Sequence, residues 1–278
     1  MVGMSLFEDQ EINNRAAVLG DPVEHSLSPI LHKAGYIALG MRDWDYERIQ
    51  CTAEDLPRIV GEADESYRGF SVTMPAKFAA LEFADEVSER AQLIGSANTL
   101  VRTDSGWRAD NTDCEGLAIA LDELSETMYS AVLIGAGGTA RPALWALAQR
   151  GVKEVTLLNR SDRRDELQEL VEHLGLSLEY RPLSDAAQCT TKVDVIVSTV
   201  PSAALAGKET ELAHAEVLDV IYDPWPTPLT VSAAANGYRT VGGHVMLAGQ
   251  SYSQFEQFTG KVAPRRQMRE ALEAHVLG

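Results

Sequence analysis

Short apolar blocks alternate along the whole chain with stretches whose apolar positions fall at helical spacing, the pattern of an α/β protein. Arg15–Gly20 reads as a strand around Val18 and Leu19. Ser28 as N-cap, with Pro29 at the first helical position, opens a helix that Gly40 can close. Trp44–Ile49 alternates like a strand, Thr52–Glu62 like a helix and Gly69–Thr73 like another strand. Helices are expected over Ala76–Phe83 and Val87–Ile94, then a strand over Ala97–Arg102 and a turn at Asp104-Ser105-Gly106.

A second pattern starts near Asp113. A helix from about Cys114 to Leu124 precedes Ala131–Ile134, a short and wholly apolar strand. Gly135-Ala-Gly-Gly-Thr-Ala-Arg141 follows, then a helix with Ala140, Ala143, Leu144, Leu147 and Ala148 on one face. Glu154–Leu158 reads as a strand, and Leu167, Leu170, Val171 and Leu174 mark a helix that Gly175 can close. Further strands are expected at Leu176–Tyr180, Val193–Thr199, Val217–Tyr222 and Tyr238–Val241. The closing stretch Met246–Gly278 is helical, with Pro264 opening its last segment. No internal repeat, low-complexity tract or flexible linker is present.

Composition narrows the reading. A chain of 278 residues, 45% hydrophobic and 23% charged, is of globular type and has room for about two domains. Its formal net charge of -17 argues against a nucleic-acid or anionic-membrane surface, and obliges any anionic ligand to find a local basic pocket. Cys51, Cys114 and Cys189 match no zinc or redox spacing and read as reduced thiols. Met1 to Asn14 has no apolar core of signal-peptide type, and no run approaches about 18 apolar residues. A cytoplasmic protein without a membrane partner is expected.

The first chemistry to emerge is a dinucleotide site. An apolar strand, Gly135-x-Gly137, a helix and a second strand about 20 residues on form the context in which glycines admit a pyrophosphate to a helix N-terminus. The set is Gly135, Ala136, Gly137, Gly138, Thr139 and Ala140, the last standing where a third glycine usually falls. An NAD site places an acidic side chain at the end of the second strand. Here Asn159-Arg160-Ser161 is followed by Arg163 and Arg164, and a guanidinium suits a 2′-phosphate, so NADP is favoured over NAD. The fold expected is two α/β domains around a cleft, the second a Rossmann-type doubly wound parallel sheet. The activity expected is hydride transfer between a nicotinamide dinucleotide and a small polar substrate.

Three segments of the first half are rich in polar groups at strand ends: Gly20–His32, Gly69–Lys77, and Ser96–Leu100 with Asn111-Thr112-Asp113. Together they resemble the shikimate dehydrogenase family. The family pattern G-x-P-x-x-H-S-x-S-P-x-x-H matches residues 20 to 32 at every fixed position. The pattern G-x-N-V-T-x-P-x-K matches 69 to 77 except that Ser71 replaces the asparagine. Cys114 stands where a glycine usually follows the Asp, and Lys33 where asparagine is frequent. Tyr222-Asp-Pro-Trp-Pro-Thr-Pro228, Gly243-x-x-Met-Leu-x-x-Gln250 and Ser198-Thr-Val-Pro201 extend the likeness downstream.

The resemblance implies a substrate-binding and catalytic domain over residues 1–112, with the helices of 246–278 packing back on it, and an NADP-binding domain over 113–245. It implies reversible NADPH-dependent reduction of 3-dehydroshikimate to shikimate in aromatic amino-acid (chorismate) biosynthesis. Lys77 is the matched proton donor and acceptor, paired with Asp113. Ser26 and Ser28 would hold the carboxylate, with Tyr222 helping to close that end, while Thr73, Asn98 and Gln250 would bond the ring hydroxyls. Arg164, Thr199, Val200, Val220 and Gly243 join Gly135–Ala140 and Asn159–Ser161 as cofactor residues. No metal is needed, because an ammonium already polarises the carbonyl. His25 and His32 read as structural. The protein would act on a small molecule, as a monomer or homodimer. Two other readings remain: the NAD-using quinate/shikimate dehydrogenase branch, against which Asn159-Arg160 and Ser28 speak, and a non-catalytic ligand sensor, against which Lys77 and Asp113 speak.

Overall fold

A computed structural model describes residues 11–276. The first ten residues and the last two, with the part of the N-terminal reading that falls on them, lie outside the described residues. The chain divides into two compact units, one of residues up to Asn111 with Ser251–Leu272, the other of Thr112–Gln250 with the residues after Leu272.

The first unit is built on six strands: β1 (Asn14–Gly20), β2 (Trp44–Gln50), β3 (Tyr67–Val72), β4 (Glu86–Val87), β5 (Thr99–Thr103) and β6 (Gly106–Asp110). Their order is β2-β1-β3-β5-β6-β4. β1 runs parallel to both its neighbours, whereas β5 is antiparallel to β3 and β6, so this sheet is mixed. β1 is an inner strand, and Ala16, Ala17, Val18 and Leu19 are all buried, as expected of a strand covered on both faces. Alternation then splits the sheet. Ala17, Leu19, Phe70 and Val72 join Leu56, Val60, Ala80 and Trp107 in one core. On the other side His32, Tyr36 and Tyr46 stack among themselves and against Phe255 and Phe258 of the helix Gly243–Thr259.

The second unit carries β7 (Ser130–Ile134), β8 (Glu154–Asn159), β9 (Ser177–Pro182), β10 (Val195–Ser198), β11 (Glu216–Asp219) and β12 (Thr240–Gly242). All are parallel, in the order β12-β11-β10-β7-β8-β9, the doubly wound arrangement whose order reverses between β7 and β10. The inner strands β7 and β10 are almost wholly apolar and buried, while the edge strand β9 is exposed, alternates Glu179 with Arg181 and ends at Pro182. Helix Arg164–Leu174 stops at Gly175 in the left-handed region, φ 65°.

Several local expectations change. Leu27 already has helical angles, so Ser28 is the first helical residue of Ser28–Ala38 and caps nothing with its side chain. The Thr52–Glu62 helix contracts to Leu56–Gly61, because the Thr52 hydroxyl and the Asp55 carboxylate close a polar turn ahead of it. β11 ends at Asp219 rather than Tyr222, since the Asp219 carboxylate accepts from the Ile221 N–H and turns the chain. The turn at Asp104–Gly106 returns as β6, and a helix over Pro228–Ala235 lies where no element was expected.

Candidate active site

The switch point of the second sheet holds a cavity of about 350 Å³. Strand β7 delivers its chain to Gly135, whose φ of 98° is open to glycine and strained for other residues. A Cβ there would meet Val200 Cγ1 at 2.6 Å and Thr199 Oγ1 at 2.7 Å, so the missing side chain also lets two strand ends approach. Thr199 fastens that approach: its N–H and its hydroxyl both donate to the Ile134 carbonyl, at 2.9 and 2.8 Å. Nothing lies within 4 Å of where a Cβ on Gly137 or Gly138 would stand, which leaves open space ahead of the helix Ala140–Gln149. That combination fits a pyrophosphate against the helix N-terminus.

Of the expected cofactor residues, Gly135, Ala136, Gly137, Asn159, Arg160, Ser161, Thr199 and Val200 line this cavity. Gly138, Thr139 and Ala140 continue the same turn into the helix, where Ala140 is buried. Arg164 is not among the lining residues: its guanidinium grips Asp162 at 2.7 Å. Arg163, absent from the expected set, does line the cavity but pairs with Glu166 at 2.5 Å. Arg160 is exposed and makes no ion pair or side-chain hydrogen bond among the described residues. Val220 and Gly243 meet elsewhere in the unit, where a Cβ on Gly243 would strike the Val220 carbonyl.

The first unit gathers Ser26, Ser28, Thr73, Lys77 and Asn98 at the ends of its central strands. Thr73 leaves β3 with its N–H donating to the Leu19 carbonyl at 2.8 Å. Lys77, half-buried, is the first residue of helix Lys77–Phe83, and its carbonyl accepts from the Ala97 N–H at 3.0 Å, one residue before Asn98. Asn98 is buried, and its carbonyl accepts from the Val72 N–H at 2.7 Å. Ser26 is half-buried and Ser28 buried at the head of its helix. Arg48, which no sequence motif singled out, donates from Nε and Nη2 to the Ser26 carbonyl at 3.0 and 2.7 Å. The only earlier sign of it was a cation in an otherwise alternating edge strand.

In the second unit Asp113 opens helix Asp113–Asp122, buried and acidic where a helix N-terminus favours negative charge. Gly116 and Gly249 let this helix cross Gly243–Thr259 in backbone contact, and a Cβ on Gly116 would reach the Gln250 N–H at 3.1 Å. Asp113 and Gln250 thus stand on two helices locked at one crossing. Tyr222 lies after β11, and burial raises its hydroxyl pKa. Asp219 anchors that loop by accepting from the Thr227 hydroxyl at 2.8 Å, and burial pushes its carboxyl up. His25 is exposed, while burial drives His32 down to about 3, a neutral imidazole stacked on Tyr46. Among the described residues no cluster of three His, Cys, Asp or Glu side chains could hold a metal, and no helix is long and apolar enough to cross a membrane.

Residues 18–100 match the family described as shikimate dehydrogenase substrate binding domain, 118–218 that of shikimate / quinate 5-dehydrogenase, and 243–273 that of the shikimate 5′-dehydrogenase C-terminal domain. A curated relative from Desulfitobacterium hafniense, named shikimate dehydrogenase (NADP(+)), is 36% identical over 92% of this chain and 96% of its own length. The crystal structure of Mycobacterium tuberculosis shikimate dehydrogenase superposes with a TM-score of 0.89 at 46% identity, covering 94% of this chain and 99% of that one. The Thermus thermophilus enzyme, solved with NADP(H) and shikimate, gives 0.81 at 32% identity, covering 94% and 99%.

Proposed function

The chain belongs to the shikimate dehydrogenase family, and from that premise we propose that it catalyses the reversible NADPH-dependent reduction of 3-dehydroshikimate to shikimate. The observation that carries the cofactor choice is Arg160, a guanidinium with no partner among the described residues, at the rim of the switch-point cavity in a protein of net charge -17. Gly135 and the open space over Gly137 and Gly138 fit the pyrophosphate of such a cofactor.

Reduction of a ketone adds a hydride to carbon and a proton to oxygen. Bound NADPH supplies the hydride. Lys77 supplies the proton to the C3 oxygen and takes it back in the reverse direction, and its ammonium stabilises the charge that grows on that oxygen. Asp113 is the charge partner of that ammonium. Ser26 and Ser28 hold the substrate carboxylate with short hydroxyl donors, and Arg48 keeps the Ser26 backbone in place from behind. Tyr222 closes the carboxylate end, and Thr73, Asn98 and Gln250 bond the ring hydroxyls. Thr199 and Val200 border the nicotinamide, Val220 and Gly243 complete the cofactor set, and Arg164 stands second to Arg160. The enzyme so described works in the cytoplasm on a small molecule, as a monomer or homodimer, with no nucleic-acid or membrane partner.

Initial rates with shikimate and with quinate, each with NADP and with NAD, test the reading. The shikimate–NADP pair should exceed the other three in kcat/KM. A preference for quinate with NAD would replace the proposal with that branch, and no turnover with any pair would remove the enzyme.

A further inference from the structure

A chain of neutral hydrogen bonds lies buried in the first unit, beneath the groups assigned to substrate. Tyr46 Oη donates to Ser71 Oγ at 2.6 Å, and Ser71 Oγ donates to Gln254 Oε1 at 2.8 Å. Gln254 Nε2 donates to the Asn98 carbonyl at 3.0 Å and to Thr99 Oγ1 at 3.1 Å. Thr99 Oγ1 in turn donates to Asn98 Oδ1 at 2.8 Å. Tyr46, Ser71, Gln254, Asn98 and Thr99 are all 4% exposed or less, so no water competes for these groups.

The direction of the chain is fixed by counting hydrogens. Ser71 has one hydroxyl hydrogen, and because Tyr46 donates to it, that hydrogen goes to Gln254 Oε1. The Gln254 amide is therefore oriented with Nε2 toward Asn98. A reversed amide would set Oε1 against the Asn98 carbonyl, acceptor to acceptor, and leave the Ser71 hydroxyl hydrogen without an acceptor, both costly in a buried site. The Asn98 carbonyl then has both lone pairs occupied, by Val72 N–H and by Gln254, while Thr99 holds the side chain. Ala16, paired in register with Tyr46 and Gly69, is small enough for the phenol to cross β1, and His32 stacks on the phenol ring at 4.2 Å. Ser71, the departure from the family's asparagine, has one oxygen that both accepts and donates, the property the relay uses.

We infer that Gln254 is a positioning residue for substrate recognition: oriented by Ser71 and Tyr46, it sets the Asn98 amide that meets a ring hydroxyl. The inference rests on the assignment of Asn98 to a ring hydroxyl. Its test compares Asn98→Ala, Gln254→Leu and Ser71→Ala in steady-state kinetics with shikimate and its mono-deoxy ring analogues, varying NADP separately. Gln254→Leu should raise the shikimate KM about tenfold with kcat within about threefold, and Ser71→Ala about threefold, the usual scale of lost neutral hydrogen bonds. The KM for NADP should not move in either. The double mutant should match Gln254→Leu alone, because Ser71 acts through Gln254. The readout that a purely structural role would leave untouched is discrimination: Gln254→Leu should lose preference against the same deoxy analogue that Asn98→Ala no longer rejects. If Asn98→Ala shows that loss while Gln254→Leu keeps the original KM and discrimination, the relay is refuted and the role of Asn98 stands. If Asn98→Ala itself changes nothing, both fall together. Should Gln254→Leu fail to fold, Ser71→Ala, which deletes a single oxygen, decides by the same two criteria.

Discussion

Replacing Arg160 by alanine should separate NADPH from NADH. Three guanidiniums crowd the segment after β8, yet two are committed: Arg163 to Glu166 through two contacts of 2.7 and 2.5 Å, and Arg164 to Asp162 at 2.7 Å. Either would have to break an ion pair before meeting a phosphate, whereas Arg160 has no such pair among the described residues. A charge-assisted hydrogen bond contributes about 1.5–3 kcal/mol, and exposure with salt screening places this one near the lower end, about 1.5–2 kcal/mol. That corresponds to a loss of roughly tenfold to thirtyfold in affinity. Equilibrium titration of NADPH and NADH, followed by nucleotide fluorescence at fixed ionic strength, measures it. Arg160→Ala should weaken NADPH by that factor and NADH by less than about twofold, while Arg163→Ala and Arg164→Ala each weaken NADPH by less than about threefold. Equal losses for both nucleotides, or an Arg164→Ala effect larger than that of Arg160→Ala, would refute the reasoning.

Two other outcomes are expected. Lys77→Ala should lower kcat by about 10²–10⁴-fold, the usual worth of a positioned acid or base, with NADPH affinity unchanged, and a kcat within about threefold of the original would end the proton-transfer role. His32 titrates near 6.5 when exposed and at about 3 in the fold, so the unfolded chain binds a proton in this range that the native one refuses. Its contribution to stability is therefore complete above pH 6.5 and is lost as pH falls toward 3, by at most about 1.4 kcal/mol per pH unit. Urea midpoints between pH 6.5 and 5 should fall more steeply for the original protein than for His32→Phe, and parallel slopes would show that the imidazole is not held neutral.

What the sequence made legible is what leaves a local mark. The run Ala131–Ile134 followed by Gly135 announces a strand and a turn because burial on both faces and a positive φ each demand particular residues. The helix Pro228–Ala235 carries a start signal, Thr227 capping it and Pro228 in its first turn, but its residues are nearly uniform around the axis and show no apolar face to extend that signal into a helix. Ser28 was read one position too early because a serine before a proline fits a cap equally well, and only the helical angles of Leu27 separate the two. Gln254 and Arg48 could not be found by motif. The bond from Ser71 to Gln254 joins residues 183 apart, and the clamp from Arg48 to Ser26 joins a side chain to a backbone carbonyl that any residue would provide. Such pairings exist only once the strands are in register.

The two halves of the cofactor cavity differ in how much freedom they have left to lose. On the glycine side the wall is stitched before any ligand arrives, with Thr199 spending both its donors on the Ile134 carbonyl and Gly135 closed in against Val200. On the other side Arg160 is a long, exposed side chain, unpaired among the described residues, that must give up its rotamers to grip a phosphate, at a cost of about 0.5–1.5 kcal/mol. Recognition of the pyrophosphate thus draws on order already present, and recognition of the 2′-phosphate creates order as it forms. The extra phosphate of NADPH is bought with enthalpy and taxed in entropy, so the preference for it should fade on warming faster than the affinity for the dinucleotide as a whole.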